Sequence, residues 1–165
     1  MSSTTASVSS TTTEGIPRLP PGYTLHDGYP PVPAYLHLRS ASGLSPKTAV
    51  QATAALQGSW YGCYVTHDAT GAHVGMGRII GDGGWYFHIV DMAVLPEHQR
   101  RGLGDAILKT LLAKIRREAP PAGPGGDGRG GAYVSLFADE AGRRLYAKNG
   151  FAESAPKELG MVMRL

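Results

Sequence analysis

The stretch WYFHIVDMAVLPEHQRRGLGDAILKTLLAKIRR, Trp85 to Arg117, decides the fold. Trp85 to Val94 is an unbroken run of aromatic, β-branched and apolar residues with few polar interruptions, the pattern of a strand covered on both faces. Pro96 ends it, since proline has no amide to give to a sheet ladder. From Asp105 the period changes. Ile107, Leu108, Leu111, Leu112 and Ile115 recur at helical spacing and predict one buried face, while Lys109, Lys114, Arg116 and Arg117 point away. Pro120-Pro121 stops the helix.

Between strand and helix lies Gln99-Arg100-Arg101-Gly102-Leu103-Gly104. Glycine permits a positive φ or a close approach of backbone to a ligand. A helix starting here turns its free N–H groups and positive dipole end toward the turn, and Arg100 and Arg101 add charge. The combination suits a phosphate, above all the pyrophosphate of a cofactor. It matches neither the GxxxxGK[ST] loop of nucleotide hydrolases nor the GxGxxG dinucleotide turn.

Val94-Leu95-Pro96-Glu97-His98-Gln99-Arg100-Arg101-Gly102-Leu103-Gly104 resembles the acetyl-CoA motif [QR]xxGx[GA] of the GNAT N-acetyltransferase superfamily. A second stretch, Leu145-Tyr146-Ala147-Lys148-Asn149-Gly150-Phe151, is similar to that family's LYxxxGF. The two occur in the family's order and cover the C-terminal half of the chain.

Working outward, Gly22 to Gly28 reads as a first strand, followed by the stiff connection Tyr29-Pro30-Pro31-Val32-Pro33. Ala34 to Ser40 predicts a short helix. Ser45-Pro46 predicts the cap of a second helix running to about Gln57. Trp60–His67 and Ala72–Ile80 form a hairpin about Asp68-Ala69-Thr70-Gly71. After the central helix, Ala119 to Gly131 is a Gly/Pro-rich connection. Tyr133–Ala138 is a strand, Ala141–Asn149 a helix with Gly150 at its C′ position, and Met161–Leu165 a last strand. The order β-αα-βββ-α-β-α-β is a mixed α/β (α+β) sheet with helices on both faces. It matches the GNAT fold, with a mostly antiparallel N-terminal part and splayed central strands. Residues 1–15 read as a Ser/Thr-rich tail and 16–165 as a single domain.

Composition narrows the function. A chain of 165 residues, 42% hydrophobic, buries one core. The net charge of +3 comes from dispersed pairs, Arg100-Arg101, Arg116-Arg117 and Arg143-Arg144, which argues against a nucleic-acid partner. The single cysteine, Cys63, sits in an apolar strand and excludes an internal disulfide. No apolar run suffices to span a membrane, and residues 1–13 have neither an apolar core nor an arginine, so no secretory or transit signal is expected. These features predict a cytoplasmic protein. The histidines and acidic residues lack metal-ligand spacing such as HExxH, so no metal is expected.

The resemblance implies transfer of an acetyl group from acetyl-CoA to a primary amine. It places the cofactor on the backbone of Met92 and Val94 and on Gln99, Arg100, Arg101, Gly102, Leu103, Gly104 and Asp105. It makes the Val94 N–H the donor to the oxyanion and Tyr146 the acid for the departing thiolate. Counting back from Gly102, His88 falls where histone-type members carry a glutamate base, and Asp91 where polyamine acetyltransferases carry a substrate-binding aspartate. In a regular strand these two face opposite sides, so only a bulge brings both to one cleft; His88, Asp91 and water all remain open as the base. Asp139 stands where the family often has an asparagine that holds the CoA arm, and Tyr146 lies beside that arm. Arg143, Arg144 and Lys148 are candidates for its 3′-phosphate. Tyr29, Tyr35, His37, Trp60 and Tyr64 are aromatic candidates for boxing an ammonium. They tilt the reading toward a small aryl, alkyl or polyamine acceptor. A protein lysine or N-terminus is the alternative, and a non-catalytic CoA sensor the alternative of another class. A homodimer is a habit of the family.

Overall fold

The predicted stripe Ile107, Leu108, Leu111, Leu112 and Ile115 is buried in the computed structural model, which describes residues 19–123 and 130–164. In chain order the elements are β1 (Tyr23–Asp27), α1 (Val32–Ala41), α2 (Ala49–Gln57), β2 (Tyr61–His67), β3 (His73–Gly81) and β4 (Tyr86–Val94), then a single 3-10 turn (Pro96–His98), α3 (Leu103–Glu118), β5 (Tyr133–Ser135) and α4 (Arg143–Lys148). The strands lie in the order β1-β2-β3-β4-β5. The first four are antiparallel and β5 joins parallel to β4.

The helices cover opposite faces. A Cβ on Gly77 of β3 would meet Ile107 and Leu111 of α3, whereas its neighbour Arg78 reaches Ser59 after α2 and, through Asp91, Arg39 of α1. Successive side chains on a strand point to opposite sides, so α3 lies on one face and α1–α2 on the other. Burying each large apolar side chain of α3 contributes roughly 1.5–3 kcal/mol, which makes this helix the main clamp on the sheet.

Several boundaries differ from the sequence reading, each for a local reason. α1 begins at Val32 because Pro33 fits the first turn, where its missing amide would have had no partner. α2 starts at Ala49 rather than Pro46. Thr48 and Gln51 form a reciprocal capping box, and Ser45 is used instead as an acceptor for Arg39. β5 stops at Ser135 and α4 is shorter at both ends. The predicted last strand, Met161–Leu165, is corrected: 159–164 pair with no strand, and Leu159, Met161, Val162 and Met163 are exposed. The tail, 1–15, and part of the Gly/Pro-rich connection lie outside the described residues.

Two irregularities in β4 position everything downstream. Its ladder to β5 covers only Tyr86, Phe87 and His88, so the strand runs on to Val94 with that edge open. Its register against β3 also slips: Arg78 pairs Val90 and Met76 pairs Ala93, so Asp91 and Met92 together face Gly77. Asp91 takes φ +55°, a left-handed conformation that aspartate tolerates better than most residues. The splay matches the splayed central strands expected from sequence, and the bulge is the condition named there for His88 and Asp91 to share a face.

Gly77 is the residue that admits the bulge. A Cβ there would sit 2.6 Å from the Met92 sulfur, 2.8 Å from Ile107 Cγ2 and 3.0 Å from Leu111 Cδ1. Gly77→Ala is therefore expected to destabilise the fold by about 1–3 kcal/mol through overpacking. Urea denaturation with an unchanged m-value and a lower midpoint is the check.

Candidate active site

The bulge re-aims the backbone of β4. Before it, Asp82 donates to the Tyr86 carbonyl at 3.2 Å, so even-numbered residues turn their peptide groups toward β3. After it, Leu95 donates to the Val74 carbonyl at 2.9 Å, so odd-numbered residues do. In an antiparallel strand the N–H and C=O of one residue point to the same edge and alternate along the chain. Val94 thus faces away from β3, into the gap where β5 has already ended. Gln99 supports this end of the strand, its Nε2 donating to the Val94 carbonyl at 3.0 Å.

The chain then passes through the 3-10 turn into the start of α3. Arg100 and Gly102 both take positive φ, +59° and +86°. Gly102 is the N-cap, carries no side-chain cap, and has open space where a Cβ would be. The first intrahelical bond runs from Ala106 N–H to the Gly102 carbonyl at 3.0 Å, which leaves the amides of Leu103, Gly104 and Asp105 without a helical acceptor. Leu103 buries its side chain and fixes the helix start. Arg100 and Arg101 are exposed. Three free amides, the helix dipole, two exposed guanidiniums and an uncovered turn fit a pyrophosphate. Gly104 does not use a positive φ, and a Cβ there would meet Leu145 at an ordinary contact distance of 3.5 Å.

The second motif meets the first at this point. Asn149 donates to the Asp105 carboxylate at 2.9 Å, and the Lys148 ammonium is 3.5 Å from it. α4 ends in a Schellman motif: Phe151 N–H bonds the Tyr146 carbonyl and Gly150 N–H the Ala147 carbonyl, both at 3.1 Å, with Gly150 at φ +90°. The motif's customary apolar contact is present as the Tyr146 and Phe151 rings, 6.0 Å apart and edge-on. This explains the spacing YxxxGF physically. Glycine makes the left-handed turn, and phenylalanine folds back onto the tyrosine. Burial, reinforced by the nearby Asp139 carboxylate, raises the Tyr146 phenol above its ordinary value, so it keeps its proton at neutral pH. Asp139 itself accepts from Gly142 N–H at 2.7 Å and closes the turn that leads into α4. Arg143 and Arg144 are exposed.

His88 sits where the β5 ladder stops. Its Nδ1 is 2.8 Å from Ser135 Oγ, and its ring meets the exposed Phe137 edge-on at 5.2 Å. Ser135 Oγ also lies 3.4 Å from the Phe87 carbonyl. When its proton goes there, Nδ1–H donates to the hydroxyl and Nε2 is left as the free lone pair. Burial lowers the His88 pKa, so the ring is neutral near pH 7. Ser135 had no signal in the sequence; only strand pairing brings it to His88.

The bulge turns Asp91 onto the same face as His88, but its carboxylate is already held. One oxygen is bonded to Arg39 Nη1; the other accepts from Arg78 Nε and from the Tyr35 hydroxyl, each at 2.5 Å. Burial by itself would raise this carboxyl, yet Tyr35 and the two guanidiniums together hold it below the usual range. In this structure, then, the partners of Asp91 and Tyr35 are each other and the chain's own arginines, and Tyr35 is 2% exposed. Tyr29 covers Gly62 and reaches the Ser59 carbonyl at 3.4 Å. With Tyr35, Arg78 and Asp91 it lines a cavity of about 10 Å³, room for one water rather than for an amine substrate. Tyr64 stacks on His26, Trp60 lies against Phe87, and His37 is exposed. Cys63 is buried, which pushes its thiol up to about 12 and leaves it unreactive at neutral pH. Among the described residues no cluster of metal-ligating side chains occurs, and no helix is long and apolar enough to cross a membrane.

Comparison with known proteins agrees with this geometry. A family model for the acetyltransferase (GNAT) domain matches residues 59–153. No curated protein matches the sequence. Among solved structures, a probable acetyltransferase of unknown function from meticillin-resistant Staphylococcus aureus is 31% identical, with 87% of this chain and 99% of that one covered and a TM-score of 0.76. The ribosomal-protein-S18-alanine N-acetyltransferase of Escherichia coli (20% identity, 81% and 79% covered, TM-score 0.62) shares the fold. So does glucosamine-6-phosphate N-acetyltransferase of Arabidopsis thaliana (12% identity, 86% and 97% covered, TM-score 0.62). The match spans more than half of the chain and includes both motifs, the open edge of β4 and the start of α3: the chain belongs to the GNAT family of acetyltransferases.

Proposed function

We propose that this chain transfers acetyl from acetyl-CoA directly to a primary amine of a small molecule. The observation that carries the reading is the Val94 N–H turned into an open gap beside an uncapped helix start at Gly102. Acetyl-CoA, when bound, supplies an acetyl group activated as a thioester. The amides of Leu103, Gly104 and Asp105, with Arg100 and Arg101, would hold its pyrophosphate, and the Val94 N–H would donate to the thioester carbonyl. Tyr146, protonated at neutral pH, is placed by its chemistry to give a proton to the sulfur. His88, neutral at the same pH, takes one from the incoming ammonium through Nε2, directly or by way of water.

The cavity by Tyr29 and Tyr35 is too small, so the amine approaches from the side of His88. There the exposed ring of Phe137 and the stacked pair Tyr86–Tyr133, 5.4 Å between centroids, offer flat apolar surface to an aryl or alkyl amine. A protein N-terminus or lysine is the second reading. It is favoured by the exposed run Leu159–Met163, which begins against Phe137 and extends the apolar surface beyond what a small amine needs.

Three results test the proposal. At acetyl-CoA concentrations near 100 times Kd, the chain should gain about 2.7 kcal/mol of stability in a thermal-denaturation series; no shift at any concentration removes the donor. Release of free CoA with aryl amines, alkyl amines, polyamines and peptides then ranks the acceptors, and turnover with none of them would leave a CoA-binding sensor. Tyr146→Phe should lower kcat by roughly 10²-fold or more with acetyl-CoA binding retained.

The pH dependence follows from burial. The lowered His88 pKa predicts kcat/KM rising with pH to a midpoint below 6.5, and a plateau above it. The raised Tyr146 pKa predicts that the plateau persists to at least pH 10 before the acid form is lost. His88→Gln should abolish the acid limb while leaving the thermal shift with acetyl-CoA; a limb that survives the substitution assigns the base elsewhere.

A further inference from the structure

We infer that Arg39, reaching from α1 to the left-handed residue Asp91, is a positioning residue that keeps the β4 bulge in place and thereby keeps the Val94 N–H turned toward the open edge. The inference rests on the proposed role of Val94 and extends it to residues far from the cofactor motif.

One extra residue in a strand leaves a peptide without its regular place in the ladder and bends the strand, and φ +55° at Asp91 adds a cost that aspartate reduces but does not remove. Such a conformation persists where surrounding contacts over-determine it. Asp91 has three: Arg39 from α1, Arg78 from β3, and Tyr35 one helical turn before Arg39. All are largely buried, with the arginine side chains 7% and 13% exposed and the aspartate 10%.

Arg39 is anchored behind as well as in front. Its Nε and Nη2 donate to the Ser45 carbonyl at 3.2 and 2.8 Å, and Nη2 also reaches Ser45 Oγ at 3.2 Å. Arg78 is fixed by Ser59 Oγ at 2.9 Å. The carboxylate is thus held between two guanidiniums that are themselves tied to the segments flanking α2. The bulge cannot relax into a regular strand without breaking this set, because a regular strand would turn Asp91 to the α3 face, away from all three partners. The same relaxation would turn Val94 toward β3 and close the site. One cluster therefore fixes both the side-chain face of Asp91 and the backbone direction of Val94.

The charges suggest which variant will fold. Two guanidiniums share one carboxylate, so Arg39→Met leaves a balanced Arg78–Asp91 pair rather than a lone buried charge. The experiment is titration calorimetry of the full chain with CoA and, separately, with acetyl-CoA. Only the second ligand has a thioester carbonyl, the group proposed to accept from the Val94 N–H, so wild type should bind acetyl-CoA about three- to ten-fold more tightly than CoA. In Arg39→Met that margin should fall to near one while the affinity for CoA stays within about two-fold, a selective loss that a general weakening of the fold would not produce. Arg39→Lys, which keeps a charge but not the planar fork, should restore part of the margin. If Arg39→Met does not fold, Tyr35→Phe, which removes one bond to Asp91 without altering charge, should shrink the margin in the same direction. A folded variant that keeps the full margin overturns the inference. Equal binding of both ligands by wild type overturns the Val94 assignment and the inference with it. Failure of wild type to bind either ligand instead overturns the acetyl-CoA reading.

Discussion

The governing constraint is that a strand's two edges both carry amides and carbonyls that must find partners. β4 pairs with β3 along its length, interrupted at the bulge, and with its other neighbour only as far as His88. A backbone N–H left unpaired away from water costs about 1–3 kcal/mol, so an edge that continues past its neighbour has to face solvent or a ligand. The 16-residue helix α3 packs its apolar face on β2, β3 and β4 and so holds β4 in the sheet despite the missing neighbour. The gap is therefore a feature of the packing, held open by α3 rather than by a ligand. Preorganised dipoles of this kind do not have to reorient when charge appears beside them, which is the physical basis of their value in acyl transfer.

The same economy of backbone geometry joins the two ends of the site. The first turn of α3 presents three amides outward, while its Asp105 side chain turns back to Asn149 and Lys148 of the α4 end. Leu145 lies against that turn beside Gly104. α4 has only six residues, too few to be stable alone. It is held by the Schellman turn at Gly150, by the Tyr146–Phe151 contact and by these bonds to Asp105. The tyrosine thus stands on a short helix held against the first turn of α3.

How far this was legible from sequence depends on the range of the signal. The α3 stripe is local, repeating every three or four residues, and all five predicted positions are buried. The two motifs are local as well, and the stated need for a bulge between His88 and Asp91 followed from strand parity. What was not legible is non-local. Arg39 and Arg78 are 52 and 13 residues from Asp91 and carry charges that a composition reading assigns to the surface. A faint signal for Arg39 existed: with Tyr35 and Leu38 it makes an i, i+3, i+4 set on one face of α1, and those three are the buried residues of that helix. Ser135 had none, because its meeting with His88 depends on parallel pairing across 47 residues. The last strand failed for the opposite reason. Met161 to Leu165 has strand-like residues, but propensity without a neighbouring edge does not make a strand.

One cause sets the protonation of both proposed proton-transfer groups. Partial burial disfavours charge, so it lowers a histidine, whose acid form is charged, and raises a tyrosine, whose basic form is charged. His88 is thereby left neutral and able to accept a proton at the same pH at which Tyr146 is left protonated and able to give one. No special partner is needed for either: Asp139 only adds to the effect at Tyr146, and Ser135 fixes the ring of His88 without supplying charge. A buried carboxylate could not have stood in for His88 on the same terms. Burial would have raised its pKa and pressed it toward the protonated form, unless cations held it ionised, as they do at Asp91. On this face of the sheet the carboxylate with its arginines suits the task of holding shape, and the uncharged imidazole suits the task of accepting a proton.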